Sequence, residues 1–275
     1  MDEKRKKDTS IRRERSAGRR ALAQLVGLEE AKRMVDGIVD FYRVQGLRKD
    51  KCPEVSLPAL HLIFSGNPGT AKWTVAGLFG RILKEEGIID RGELYEVGQA
   101  ELLGSTPGAS ARNIRDYFEK ASGAVLYIEN APCLMGLPEH HGRDAIPALL
   151  REMDGQRGGI AVILAGDRRK FEEMEQSYPE ISGRIAFRVR FPDYSMDELY
   201  EILCKLAAKE GFVFSRDVRE SFLQRILWKD TKRGNAKLVR NLLDQAKLNQ
   251  AGRLLRLPEE RREQEMMVIR GEDFI

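Results

Sequence analysis

The 275 residues contain only three cysteines, Cys52, Cys133 and Cys204, far apart and without a C-x-x-C pair. That excludes a disulfide framework and a zinc-ribbon spacing, and fits reduced thiols in a cytosolic protein. Histidine is equally scarce. His140 and His141 are adjacent, and neighbouring side chains diverge on a helix or strand, so a solvated loop rather than a metal site is expected there. No apolar run approaches the roughly 20 residues needed to cross a bilayer, so no membrane span is expected. The opening "MDEKRKKDTSIRRERSAGRR" has no apolar segment of the kind a secretory signal carries. A cytoplasmic location is the resulting expectation. Net charge is +4, with the excess concentrated in that opening stretch. No aromatic residue interleaves its charges, so a solvated, disordered tail is expected there rather than a nucleic-acid surface.

What the sequence does have is a regular alternation. Residues 21–47 space Leu25, Leu28, Ala31, Val35, Ile38 and Phe41 at helical intervals, and "KDKCPEVSLP" reads as a linker. Then short apolar runs, "LHLIF", "ELYEV", "AVLYI", "IAVILAG" and "AFRVRF", alternate with amphipathic helical segments. One such helix, "SARNIRDYFEKASG", is expected to end at Gly123. Strands alternating with helices imply a parallel, doubly wound α/β sheet. After "FPDYS" only helical periodicity is visible, apart from a short "MMVI". The expected organisation is a basic tail at 1–20, an α/β core at 21–194 and a small helical domain at 195–275.

The stretch "LHLIFSGNPGTAKWT" places a strand, a glycine-bearing turn and a helix in succession. That is the context of a phosphate-binding loop, whose backbone N–H groups and helix N-terminus attract phosphate oxygens. Gly66, Asn67, Pro68, Gly69, Thr70, Ala71, Lys72, Trp73 and Thr74 are the candidate nucleotide-binding residues. Lys72 stands where a lysine reaches the β- and γ-phosphates. Ala71 occupies the usual second glycine, and Trp73 the hydroxyl that ligates Mg²⁺. A second half-site, "AVLYIENA", ends an apolar strand in Glu129 and Asn130.

These segments, with "YPEISGRIAF", "FPDYSMDELYEI" and "GNAKLVRNLLDQAKLNQAGRL", resemble the CbxX/CfqX branch of the AAA+ ATPases. That branch includes the sporulation stage V protein K group and the red-type Rubisco activases. The resemblance runs from about Leu25 to the C-terminus. It implies a five-stranded AAA+ core, a helical lid, ATP or ADP as ligand, and a homo- or hetero-oligomeric ring.

The resemblance also marks departures. Glu129 stands for the aspartate that holds the metal's water shell, making it a weak Mg²⁺ ligand. Asn130 stands for the glutamate that activates the attacking water, and an amide is no general base near neutral pH. Ser182 and Arg184 match a pair of arginines, leaving Arg184 as a finger toward a neighbouring subunit or as a local ion pair. Lys237 stands for the lid arginine that senses phosphate, and Asp167 for a tyrosine. Thr106, stiffened by Pro107, stands for the pore aromatic. A nucleotide-binding but hydrolysis-deficient ring subunit accounts for this set. An active ATP-driven remodeller and a nucleotide-free scaffold with Trp73 filling the site are the alternatives.

Overall fold

A computed structural model describes residues 16–55, 58–106, 108–135, 144–155, 159–227 and 234–275. By its contacts the chain forms two compact units. The first comprises Met1–Gly66 and Lys72–Phe191, the second Asn67–Ala71 and Pro192–Ile275.

The first unit runs α1 (Ala17–Ala23), α2 (Glu29–Lys51), β1 (His61–Gly66), α3 (Lys72–Glu85), β2 (Leu94–Val97), α4 (Gln99–Leu102), α5 (Ala109–Lys120), β3 (Val125–Ile128), α6 (Ala145–Gly155), β4 (Ala161–Gly166), α7 (Arg168–Ser177) and β5 (Phe187–Phe191). Its five strands are all parallel, in the order β2-β3-β4-β1-β5. β1 is therefore central, and Leu62, Ile63 and Phe64 are buried on both faces. Leu126, Ile128, Val162 and Leu164 face a core built with Ile114 and Phe118 of α5 and Ile146, Leu149 and Met153 of α6. Val125 packs on Gly80 of α3, so alternate residues of β3 face the opposite layer.

The second unit contains α8 (Met196–Lys209), β6 (Val213–Phe214), α9 (Val218–Leu227), α10 (Asn235–Leu254), α11 (Glu259–Glu265) and β7 (Val268–Ile269). α8 starts at a capping box: Glu198 N–H donates to Ser195 Oγ at 3.2 Å, and Ser195 N–H to Glu198 Oε2 at 2.7 Å. Leu199, Leu203, Phe222, Ile226, Val239 and Leu243 form its core. No helix among the described residues is long and apolar enough to cross a membrane.

Several local expectations differ. The single helix expected over 21–47 is two, because Gly27 and Leu28 both adopt left-handed backbone (φ 57° and 59°) and break the path. α2 runs on to Lys51, into the expected linker. Phe41 is exposed, and the next residue, Tyr42, takes the buried position. Residues 17–20, expected in a tail, belong to α1: Arg19 pairs with Asp36 (2.7 Å) and Asp40 (2.9 Å), and Gly18 N–H donates to Glu85 at 2.9 Å. Residues 1–15 lie outside the described residues. α5 ends at Lys120, capped by Ala121, and Gly123 (φ 75°) serves the following turn instead. α7 and the short β6, which pairs with β7, have no counterpart in the expected series. α7 is short and mostly polar, with Phe171 and Met174 as its buried residues, and β6 is only two residues long.

Candidate nucleotide site

β1 delivers the chain to Gly66, where any Cβ would collide with the Phe191 carbonyl of β5. Gly69 then takes φ 76°, and Ala71 takes φ 63°. The first is natural for glycine; the second is strained for an L-residue. Thr70 is buried, and its hydroxyl donates to Asn67 O at 2.8 Å, closing the turn. α3 begins at Lys72, which is only 7% exposed, and its Nζ donates to Gly66 O at 2.8 Å. The backbone N–H groups of Gly69, Thr70 and Ala71 have no acceptor among the described residues. Trp73 is 53% exposed and Thr74 is exposed too.

The three strands β3, β4 and β1 run in register through Ile128, Leu164 and Ile63. Glu129 follows directly, level with Phe64 and two strand spacings away, about 10 Å. Tyr127 lies on the face toward α3, as Val125 does, close to the Glu129 carboxylate. Burial above all, with the neighbouring carboxylates of Glu129 and Glu96, pushes the Tyr127 phenol far above its ordinary pKa. Asn130 has φ 50°, is exposed, and its carbonyl accepts from Cys133 N–H at 2.8 Å.

Other expected positions are occupied locally. Arg184 forms a two-pronged pair with Asp154 of α6, Nε at 3.0 Å and Nη2 at 2.6 Å, and donates to Glu180 O at 2.8 Å. Of its two expected roles, the ion pair is the one formed within this chain. Ser182 donates to Glu175 at 2.9 Å. Asp167 caps α7, accepting from the N–H groups of Arg169 (2.9 Å) and Lys170 (3.1 Å). Thr106 is exposed; Pro107, His140 and His141 lie outside the described residues.

Within the second unit, Lys237 lies on the first turn of α10 and is exposed, while its backbone N–H donates to Gly234 O at 2.9 Å. Two residues that the sequence left without a role hold the loop there. Asn235 is 1% exposed at φ 42°. Its Oδ1 accepts from Tyr194 N–H at 3.0 Å, and its Nδ2 donates to Asp193 Oδ1 at 2.8 Å and Pro68 O at 3.2 Å. Asp193 also accepts from Asn67 Nδ2, with both oxygens at 2.9 Å. The signal available was "FPDYS" and "GNAK", polar residues next to turns, which do not announce a shared partner.

Residues 62–193 match the ATPase family associated with various cellular activities (AAA), and residues 195–275 match the AAA lid domain. Protein CbxX (chromosomal) of Cupriavidus necator is 36% identical over 237 residues, spanning 84% of this chain and 74% of that protein. The chain belongs to the AAA family. The chloroplastic ribulose bisphosphate carboxylase/oxygenase activase of Cyanidioschyzon merolae is 33% identical over 92% of this chain and 88% of its own. The solved AAA domain of FIGL-1, in complex with ADP, superposes with a TM-score of 0.62 over 92% of this chain and 81% of that one, at 18% identity, so it speaks to the fold.

An AAA fold implies a nucleotide, and the loop's donor set fits one: three backbone N–H groups without acceptors among the described residues, a buried lysine and a helix N-terminus. The metal fits poorly. Indole is a donor only, and a cation needs acceptors. The Thr74 hydroxyl is rotated by about 100° around α3 from position 73.

Proposed function

We propose that this AAA chain binds ATP or ADP at residues 66–74 and hydrolyses it little or not at all, serving as a structural or regulatory subunit of an oligomeric ring. The observation that carries this is the contrast within one site. Lys72 is buried and donates to Gly66 O, and the Gly69, Thr70 and Ala71 N–H groups have no acceptor among the described residues, while position 130 offers an exposed amide. A nucleotide would be held by the N–H groups of the loop and by Lys72 exchanging Gly66 O for phosphate oxygen. The bound nucleotide supplies the phosphate charge that these groups neutralise. No group at Asn130 takes a proton from water, and loss of a general base costs on the order of 10²–10⁴ in rate.

Ring assembly is the common habit of AAA proteins and is carried over here by membership. Arg184 could serve a neighbour's nucleotide only by leaving Asp154, its bidentate partner. The scaffold alternative asks Trp73 to fill the loop, and its 53% exposure counts against that.

Calorimetric titration of ATP and ADP, each in Mg²⁺ and in EDTA, tests the proposal with Lys72→Ala as control. Micromolar binding that requires Lys72 and changes little on chelation supports it. Rapid Mg²⁺-dependent phosphate release abolished by Lys72→Ala would sink it in favour of an active ATPase. Absence of binding by folded protein would favour the scaffold.

A further inference from the structure

The direction of the loop's donors has a visible cause inside the second unit. In a trans peptide the C=O and the following N–H point in opposite directions. The Pro68 carbonyl is held by Asn235 Nδ2 at 3.2 Å, and the Gly69 carbonyl by Ala236 N–H at 3.1 Å. Both carbonyls therefore face the start of α10. Their partner N–H groups, on Gly69 and Thr70, must face away from it together. Asp193 completes the arrangement by holding Asn67 on one side and Asn235 on the other. Asn235 spends both amide hydrogens and its oxygen here, and tolerates the left-handed backbone that puts it in place.

We infer that Asn235 and Asp193 are positioning residues for nucleotide binding: they fix the two carbonyls that aim the Gly69 and Thr70 N–H groups at phosphate. This rests on the nucleotide reading above. It also makes the first turn of α10 sense occupancy of the loop. A phosphate that orders these N–H groups also orders the two carbonyl bonds behind them, and the coupling is reciprocal.

The test uses the full chain and ADP in EDTA. Asn235→Gly deletes the side chain without straining the backbone. Asn235→Asp keeps the Tyr194 bond but sets a carboxylate against Asp193. Asn67→Ala removes the loop-side partner of Asp193. Calorimetry gives affinity, and hydrogen exchange at Ala236, whose N–H is bonded to Gly69 O, reads the coupling. Both Asn235 variants are expected to weaken ADP about tenfold or more, the worth of one charge-assisted bond. They should also abolish the slowing of exchange at Ala236 that ADP produces in the parent. Asn67→Ala should weaken ADP as well, and less than additively when combined with Asn235→Gly. If Asn235→Gly unfolds the second unit, Asn67→Ala and Asn235→Asp carry the test alone. Unchanged affinity and unchanged exchange in folded variants overturn the inference while leaving the nucleotide reading intact. A parent protein that binds no ADP overturns both.

Discussion

Ala71 is the non-glycine residue with left-handed backbone in the candidate phosphate loop. At φ 63° its Cβ presses on the following carbonyl, at a cost of roughly 1–2 kcal/mol. Ala71→Gly removes that cost. Glycine also loosens the unfolded chain, which takes back about 0.4–1 kcal/mol. A control separates the two. Ala251 is an exposed residue within α10, where Gly for Ala costs about 1 kcal/mol. Residues 71 and 251 both belong to the second unit, so one unfolding transition reports both, and the unfolded-state effect is common to the two variants. Ala71→Gly should therefore be more stable than Ala251→Gly by about 1–2 kcal/mol, and equal to or slightly above the parent. Urea unfolding followed by far-ultraviolet circular dichroism, without nucleotide, measures this. Equal losses in the two variants would refute the strain at position 71.

Trp73→Thr restores an oxygen where a metal would need one, and loses little packing because the indole is already 53% exposed. The ratio of ATP affinity in Mg²⁺ to that in EDTA should rise about tenfold over the parent by calorimetry, as one recovered contact would give. His61 is 1% exposed, with Nε2 3.1 Å from Met153 O. Burial lowers its pKa, against the opposing pull of backbone carbonyls and Asp154. The unfolded chain therefore takes up the proton first. Its contribution to stability is full above the ordinary histidine value of about 6.5 and is lost as pH falls below it. His61→Gln should flatten that acid-side fall in urea midpoints.

The strands announced themselves because parallel strands covered on both faces read as unbroken apolar runs, as "AVLYI" and "AVILAG" do. The loop was legible because its chemistry is local: a turn, a lysine and a helix start lie within nine residues. The break at Gly27 and Leu28 was not legible, since leucine gives no sign of a left-handed backbone. Arg184 was readable as a charge but not as the partner of Asp154, 30 residues away, because either a subunit neighbour or a local carboxylate satisfies a guanidinium.

By itself, then, the sequence determined the α/β class, the change to helices after β5, the position of the candidate phosphate loop and the side chains that stand at positions 73 and 130. Each follows from side-chain type and short-range spacing. Tertiary structure alone decided the strand order β2-β3-β4-β1-β5, the exposure of Trp73 and the hold of Asn235 on Pro68, 167 residues earlier in the chain. These depend on which distant backbone groups meet, and a hydrogen bond leaves no periodic trace along the sequence that makes it.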